Sequence, residues 1–373
     1  MNTHSTAAVL TARRIAVSFV ATVSAVGLTA PLTSADPLDA PTGAGRHAPQ
    51  APPAAQGILF TDATVTQQKD GSFTVSWRAP GAGSVTVYAG ARAVAHGGSE
   101  ATVVVRGLPA VDRRWFRLVP DQGDPLTLAD RSLHLEGAAH FRDAGGHRTA
   151  DGRWVKMGVL YRADGLHALT GADLAKLKRL GLRTVLDLRM PRERAKAPDR
   201  VPAGARHVVA GVPGGKAEGE LPATAKASAH MMAGSYRKFV SKPSAVNAYR
   251  SLFRLAKGPG SYALAYHGES GKDRTGWATA ALLTALGVDR GTVLRDYLAA
   301  NGHLAAVHAA ELDRRPPRLA ARLKPVLDAR AEYLNAAFDE AEVRFGTFGA
   351  YLRDGLGLTE QDLERLREAL LTG

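Results

Sequence analysis

The chain has 373 residues, 45% of them hydrophobic and 22% charged, enough to bury a sizeable core and to fill about two or three domains. Its formal charge of +13 favours anionic partners, but nowhere do basic and aromatic residues interleave as on a nucleic-acid platform, so no nucleic acid is expected. It contains no cysteine, which excludes disulfides, thiol redox chemistry and a thiolate nucleophile.

Residues 1–35 carry Arg13 and Arg14, an apolar run from Ile15 to Leu28, and small residues ending at Thr33-Ser34-Ala35. That three-part pattern predicts a cleaved export signal, since a spanning helix needs roughly 20 apolar residues. A secreted, extracellular protein follows, with no transmembrane helix after cleavage and a charge lowered from +13 to +11 by loss of the two arginines. Residues 36–56 are rich in Pro, Ala and Gly and read as a linker.

From 57 to 136 the pattern shifts to short alternating runs at Phe73–Trp77, Ser84–Tyr88, Thr102–Val105 and Trp115–Leu118, separated by Lys69-Asp70-Gly71 and Gly81-Ala82-Gly83. Period-two alternation broken by turn residues predicts a small all-β sandwich, weakly similar to fibronectin III or immunoglobulin-like modules. The other reading is a β extension of the following domain.

Residues 137–373 alternate strands and helices, the α/β signature. Thr184–Leu188 and His207–Ala210 read as buried strands, and Gly171–Leu180 as a helix with Leu174, Leu177 and Leu180 on one face. Met231–Phe239 fits either a lid or a packed amphipathic helix, after a Gly-, Ala- and Lys-rich loop (Gly211–Ala229). Tyr262–Tyr266 gives a strand, Trp277–Leu286 an apolar core helix, and Thr292–Leu371 is helical throughout. Arg314, Arg315 and Arg318 read as a solvated face.

Between that strand and helix lies His267-Gly268-Glu269-Ser270-Gly271-Lys272-Asp273-Arg274-Thr275-Gly276. Unpaired amides at a helix start, the helix dipole and glycines at 268, 271 and 276 suit a phosphoryl group. Arg274 offers a bidentate fork and Lys272 a point charge.

The loop resembles the H-C-x-x-G-K-D-R-T-G signature of the atypical tyrosine phosphatases of bacteria and fungi, with glycine for cysteine. His140–Thr149, Asp151-Gly152-Arg153, Leu160-Tyr161-Arg162, Asp187-Leu188-Arg189, Thr292–Leu298 and Phe345–Leu352 match the same family, covering roughly 137–372. The resemblance implies a tyrosine-phosphatase-like α/β fold, a parallel-type sheet flanked by helices. Its ligands would be phosphorylated proteins or phosphoinositide-like molecules, with no metal and no cofactor.

It also implies that Arg274 steadies the transferring group, that Asp273 protonates the leaving oxygen, and that residues 268–274 hold phosphate. His267 and Thr275 support the loop. Asp187 and Arg189 either organise the floor of the site or form a structural ion pair, and Arg142 and Asp143 tie the N-terminal turn to the sheet. Gly268 stands where the nucleophile belongs, so the covalent route is closed. The leading expectation is a phospho-ligand-binding pseudophosphatase. The alternatives are a phosphomonoesterase using water or another residue, with Glu269 or Asp273 as base, and an envelope adhesion or scaffold protein.

Overall fold

A computed structural model describes residues 57–214 and 221–372. The expected export signal and linker lie outside the described residues, as do positions 215–220 of the Lys-rich loop. Seven antiparallel strands come first: β1 (Asp62–Gln67), β2 (Phe73–Arg78), β3 (Val85–Ala89), β4 (Arg92–Gly97), β5 (Glu100–Val105), β6 (Trp115–Pro120) and β7 (Leu126–Ala129). They form two sheets, ordered β1-β2-β5 and β4-β3-β6-β7.

Alternation puts Phe73, Val75 and Trp77 of one sheet against Val85, Val87, Phe116 and Leu118 of the other. Phe73 meets Phe116 edge-on at 5.2 Å, and each such buried side chain contributes roughly 1.5–3 kcal/mol. Sequence alternation does not reveal β1, β4 or β7. Polar residues interrupt β1, no residue of β4 is fully buried, and β7 is four residues long.

A third sheet has the order β11-β10-β12-β9-β8, from β8 (Arg142–Asp143), β9 (Leu160–Ala163), β10 (Thr184–Asp187), β11 (Arg206–Val209) and β12 (Leu264–His267). β9, β10, β11 and β12 run parallel, and β8 closes the edge antiparallel to β9. The residues of β9, β10 and β12 are all buried, as parallel strands covered on both faces must be.

Helices α1 (Gly171–Arg179), α2 (Pro191–Lys196), α3 (Ala225–Ser241), α4 (Pro243–Ala256) and α5 (Arg274–Ala285) connect and cover this sheet. α1 starts in a reciprocal Thr170–Asp173 capping box. α5 has almost no exposed face, and its Trp277 packs edge-on against Phe338 at 4.9 Å. The helix begins at Arg274, three residues before the expected Trp277, because its first turn is polar and hides from an apolar-periodicity search. Met231–Phe239 lies within α3 with Met232, Tyr236 and Phe239 buried, so it is a packed helix.

The expected helical C-terminal part consists of α6 (Arg290–Leu298), α7 (Ala300–Asp313), α8 (Pro317–Leu327), α9 (Ala331–Phe345), α10 (Phe348–Ala350) and α11 (Glu360–Leu370). Pro316 and Pro317 separate α7 from α8, and Gly346 at φ 80° ends α9. The described residues form one compact unit. A buried Arg113–Asp143 ion pair at 2.7 Å joins the β6 side to the edge of the parallel sheet, and Trp154 completes the core of the antiparallel sheets.

Candidate functional site

β12 is the middle strand of the five, so its C-terminal end delivers the chain to the centre of the sheet's carboxyl edge, where open α/β sheets place ligands. Residues 268–273 cross from there to the start of α5. Four successive carbonyls are tied to surrounding groups. Gly268 O accepts from His267 Nδ1 at 3.2 Å, Glu269 O from Gly165 N at 2.9 Å, Ser270 O from His140 Nδ1 at 3.2 Å and Gly271 O from Arg162 Nη2 at 2.8 Å. Burial, reinforced by Arg162 and Arg142, holds the His140 imidazolium pKa well below its ordinary value, so the ring is a neutral donor.

Among the described residues, no hydrogen bond engages the backbone N–H groups of Ser270 through Thr275. Free amides at the head of a twelve-residue helix are an array that attracts an oxyanion. Gly271 makes the loop's path feasible. Its φ is 66°, and a Cβ there would sit 2.6 Å from the Ala163 carbonyl oxygen. Gly276 has another reason: a Cβ would meet the Tyr297 ring at 2.9 Å, so this glycine serves helix packing and does not shape the loop.

The charged groups differ from the expectation in orientation. Arg274 directs Nη1 and Nη2 at the Glu193 carboxylate of α2, at 2.7 and 2.5 Å, with Nη1 also 3.4 Å from Leu188 O. Burial disfavours both charges, but each offsets the other's cost: the Glu193 pKa is lowered and the Arg274 pKa raised. The expected two-nitrogen fork is thus already engaged by protein, and Nε is the edge turned to Gly268. A Cβ built on Gly268 would lie 3.6 Å from Nε, with Thr275 Oγ1 at 3.4 Å. That hydroxyl is buried without a hydrogen-bond partner.

Lys272 is also committed. Its ammonium donates to Asp273 Oδ1 at 2.7 Å and to the carbonyls of Val326 and Asp328, each at 3.1 Å, which uses all three protons. Asp273 Oδ1 accepts a further bond from the Tyr236 hydroxyl at 2.8 Å, and Tyr236 in turn contacts the Tyr297 hydroxyl at 2.7 Å.

The loop floors a cleft of about 640 Å³ whose other wall includes Leu304, Val307, His308 and Arg314, with Asp164 beside the loop. Burial raises the Asp164 carboxyl pKa to about 6. A second cleft, about 800 Å³, lies between β1 and α6 and contains none of the loop residues.

Asp187 and Arg189 do not line the loop cleft. They form a buried bidentate pair at 2.9–3.0 Å, the structural alternative of the two readings. Arg142 binds the buried Asp296, and Asp143 binds Arg113, each anchoring the segment before β9. Sequence reasoning missed Glu193, Asp164 and Tyr236. Asp164 follows the Leu160-Tyr161-Arg162 motif by two residues and could have been found. Glu193 and Tyr236 meet the loop across 81 and 37 positions, which periodicity cannot reveal. Asp187, Asp199, His207 and His267 bring four ligand-type atoms within 4.8 Å of one another and could hold a metal ion.

A model of the tyrosine phosphatase family matches residues 133–372. A Cupriavidus necator protein, named by inference a tyrosine-protein phosphatase, is 34% identical over 248 residues, 65% of this chain and 89% of that protein. The triple specificity protein phosphatase PtpB of Mycobacterium tuberculosis is 32% identical over 279 residues, 64% of this chain and 98% of that one. Among solved structures, the core catalytic domain of the S. cerevisiae PP-IP phosphatase SIW14 aligns with 14% identity and a TM-score of 0.24. That alignment covers 42% of this chain and 75% of that domain.

Proposed function

Because the chain belongs to the tyrosine phosphatase family, we propose that it binds phosphorylated groups in the 268–274 loop without the family's covalent step, as a secreted pseudophosphatase. The observation that carries this reading is Gly268 at the nucleophile position of a loop whose Ser270–Thr275 amides remain free beside Arg274. Glycine has no side chain with which to form a phosphoenzyme, and the chain holds no other thiol to substitute.

The loop amides supply the main anion contacts, and Arg274 contributes its Nε edge, held in place by Glu193. Lys272 acts at one remove, fixing Asp273 rather than touching phosphate. Loss of a thiolate removes a negative charge that would face the ligand. At an effective dielectric of about 20 such repulsion is worth on the order of a few kcal/mol, so affinity rises as turnover falls.

Isothermal calorimetry with inorganic phosphate and phenyl phosphate, run beside an aryl phosphate hydrolysis assay, tests the proposal. Binding without turnover, weakened in Arg274→Ala, is expected. Turnover in the parent chain that disappears in Arg274→Ala would establish a hydrolase using water, and absence of both binding and turnover would favour a scaffold.

A further inference from the structure

Outside the lining of the loop cleft, four side chains converge from four chain segments. Asp187 ends β10, His267 pairs with it in register at the end of β12, His207 lies on β11, and Asp199 comes from the connection between α2 and β11. The side chains of Asp187, Asp199 and His267 are at most 1% exposed, while that of His207 is 35% exposed and leaves a route to solvent. We infer that these four residues form a binding site for a divalent transition-metal cation of the zinc class, a departure from the metal-free expectation of the sequence.

Hydrogen bonding leaves His267 Nε2 and Asp199 Oδ1 in this cluster without partners. His267 donates Nδ1–H to the Gly268 carbonyl at 3.2 Å, which turns its Nε2 towards two carboxylates. Nε2 lies 3.0 Å from Asp199 Oδ2, which Arg189 Nη2 also approaches at 2.8 Å, and neither contact has hydrogen-bond geometry, while Oδ1 of Asp199 is buried without a partner. Buried carboxylates are normally satisfied by donors or by a metal. An imidazole nitrogen facing two carboxylates is repulsive unless a proton or a metal cation sits between them.

The spacing fits such an ion. Zinc bonds to imidazole and carboxylate of ~2.0–2.2 Å in a tetrahedron require ligand atoms ~3.3–3.5 Å apart. The four histidine–aspartate separations are 3.0, 3.3, 3.7 and 3.8 Å, a set centred on that edge. Two imidazoles with two carboxylates is also a donor set that suits zinc.

The surroundings match what metal ligands need. A ligating histidine ordinarily gives its other N–H to a carbonyl, as His267 does. Arg189 grips Asp187 through Nε at 3.0 Å and Nη2 at 2.9 Å, and approaches Asp199 Oδ2 at 2.8 Å, orienting both carboxylates from outside. Two carboxylates against one guanidinium leave a negative charge for a cation to neutralise. The ion would join the ends of β10 and β12 to β11, next to Gly268, and stiffen the start of the loop.

Untagged protein, stripped by chelator and titrated with Zn²⁺ in a calorimeter, tests the inference, with Co²⁺ absorption as a report on coordination. One equivalent of Zn²⁺, the intense visible bands of four-coordinate cobalt and a rise in Tm on adding metal are expected. His207→Ala and Asp199→Asn should each weaken binding at least tenfold and abolish the metal-dependent Tm rise. His207 is partly exposed, so its alanine variant keeps a folded control. Absence of stoichiometric binding, or binding unchanged in both variants, overturns the site and identifies the cluster as one balanced by protons alone.

Discussion

At Gly268 a Cβ would find neighbours no nearer than 3.4–3.9 Å, which is ordinary contact. Gly268→Cys should therefore fold as the parent does and place its sulfur near the Arg274 guanidinium and the unpartnered Thr275 hydroxyl. A colorimetric aryl phosphatase assay is expected to register turnover absent from the parent. No gain would mean that the loop is arranged for binding alone. Arg274→Ala removes a charged donor and also strands the Glu193 carboxylate beside the cleft. Phosphate affinity, read by calorimetry, should drop by about 10- to 100-fold, the worth of a hydrogen bond to a charged group. Asp164 adds a pH dependence. Its carboxyl ionises near pH 6, so the cleft gains negative charge as pH rises through that value. Phosphate itself becomes more anionic over a similar range, so the parent is compared with Asp164→Asn. Between about pH 5 and 7 the ratio of parent to variant affinity should fall as pH rises, and a constant ratio would remove Asp164 from the site.

The loop owes its shape to the elements on either side of it. β12 is fixed between β10 and β9, α5 is buried along nearly its whole length, and the span between them must turn sharply where Gly271 passes under the end of β9. Gly271→Ala would combine a left-handed backbone with a 2.6 Å approach to a main-chain oxygen. Denaturant unfolding should show a loss of at least ~2 kcal/mol, above the ~1–2 kcal/mol of the left-handed backbone alone. Phosphate binding should fall with it. An unchanged midpoint would mean that the loop can shift without cost. The hydrogen bonds from Gly165, His140 and Arg162 explain why the amides stay free: carbonyls turned outward leave the N–H groups without protein acceptors.

On the scale of the molecule, Asp296 of α6 is the point where distant segments meet. Its carboxylate receives Arg131, Arg142 and Arg162, which come from beyond β7, from β8 and from β9. Burial opposes its charge, but Arg142 and Arg131 overcome that and hold its pKa well below the ordinary carboxylate value. The native state therefore binds this proton more weakly than the unfolded chain does. The contribution is full above the unfolded pKa of about 4 and is lost as pH falls below it. Asp296→Asn leaves three guanidiniums without their counter-charge and should cost ~3–5 kcal/mol by chemical denaturation near neutral pH; a loss under 1 kcal/mol would show that the arginines find other partners. The alternating runs at Phe73–Trp77 and Trp115–Leu118, the buried strand Thr184–Asp187 and the loop bounded by His267 and Arg274 were all legible along the chain, because periodicity, glycine placement and charge order are local properties. The family signature, too, is written in consecutive residues. What the tertiary structure alone decided was which charges face the cleft: Arg274 is met by Glu193, and Lys272 is spent on Asp273 and the end of α8. The convergence of Asp187, Asp199, His207 and His267 was equally hidden. A sequence fixes which donors and acceptors exist, but their partners are chosen by the register of parallel strands and the packing of helices separated by tens of residues.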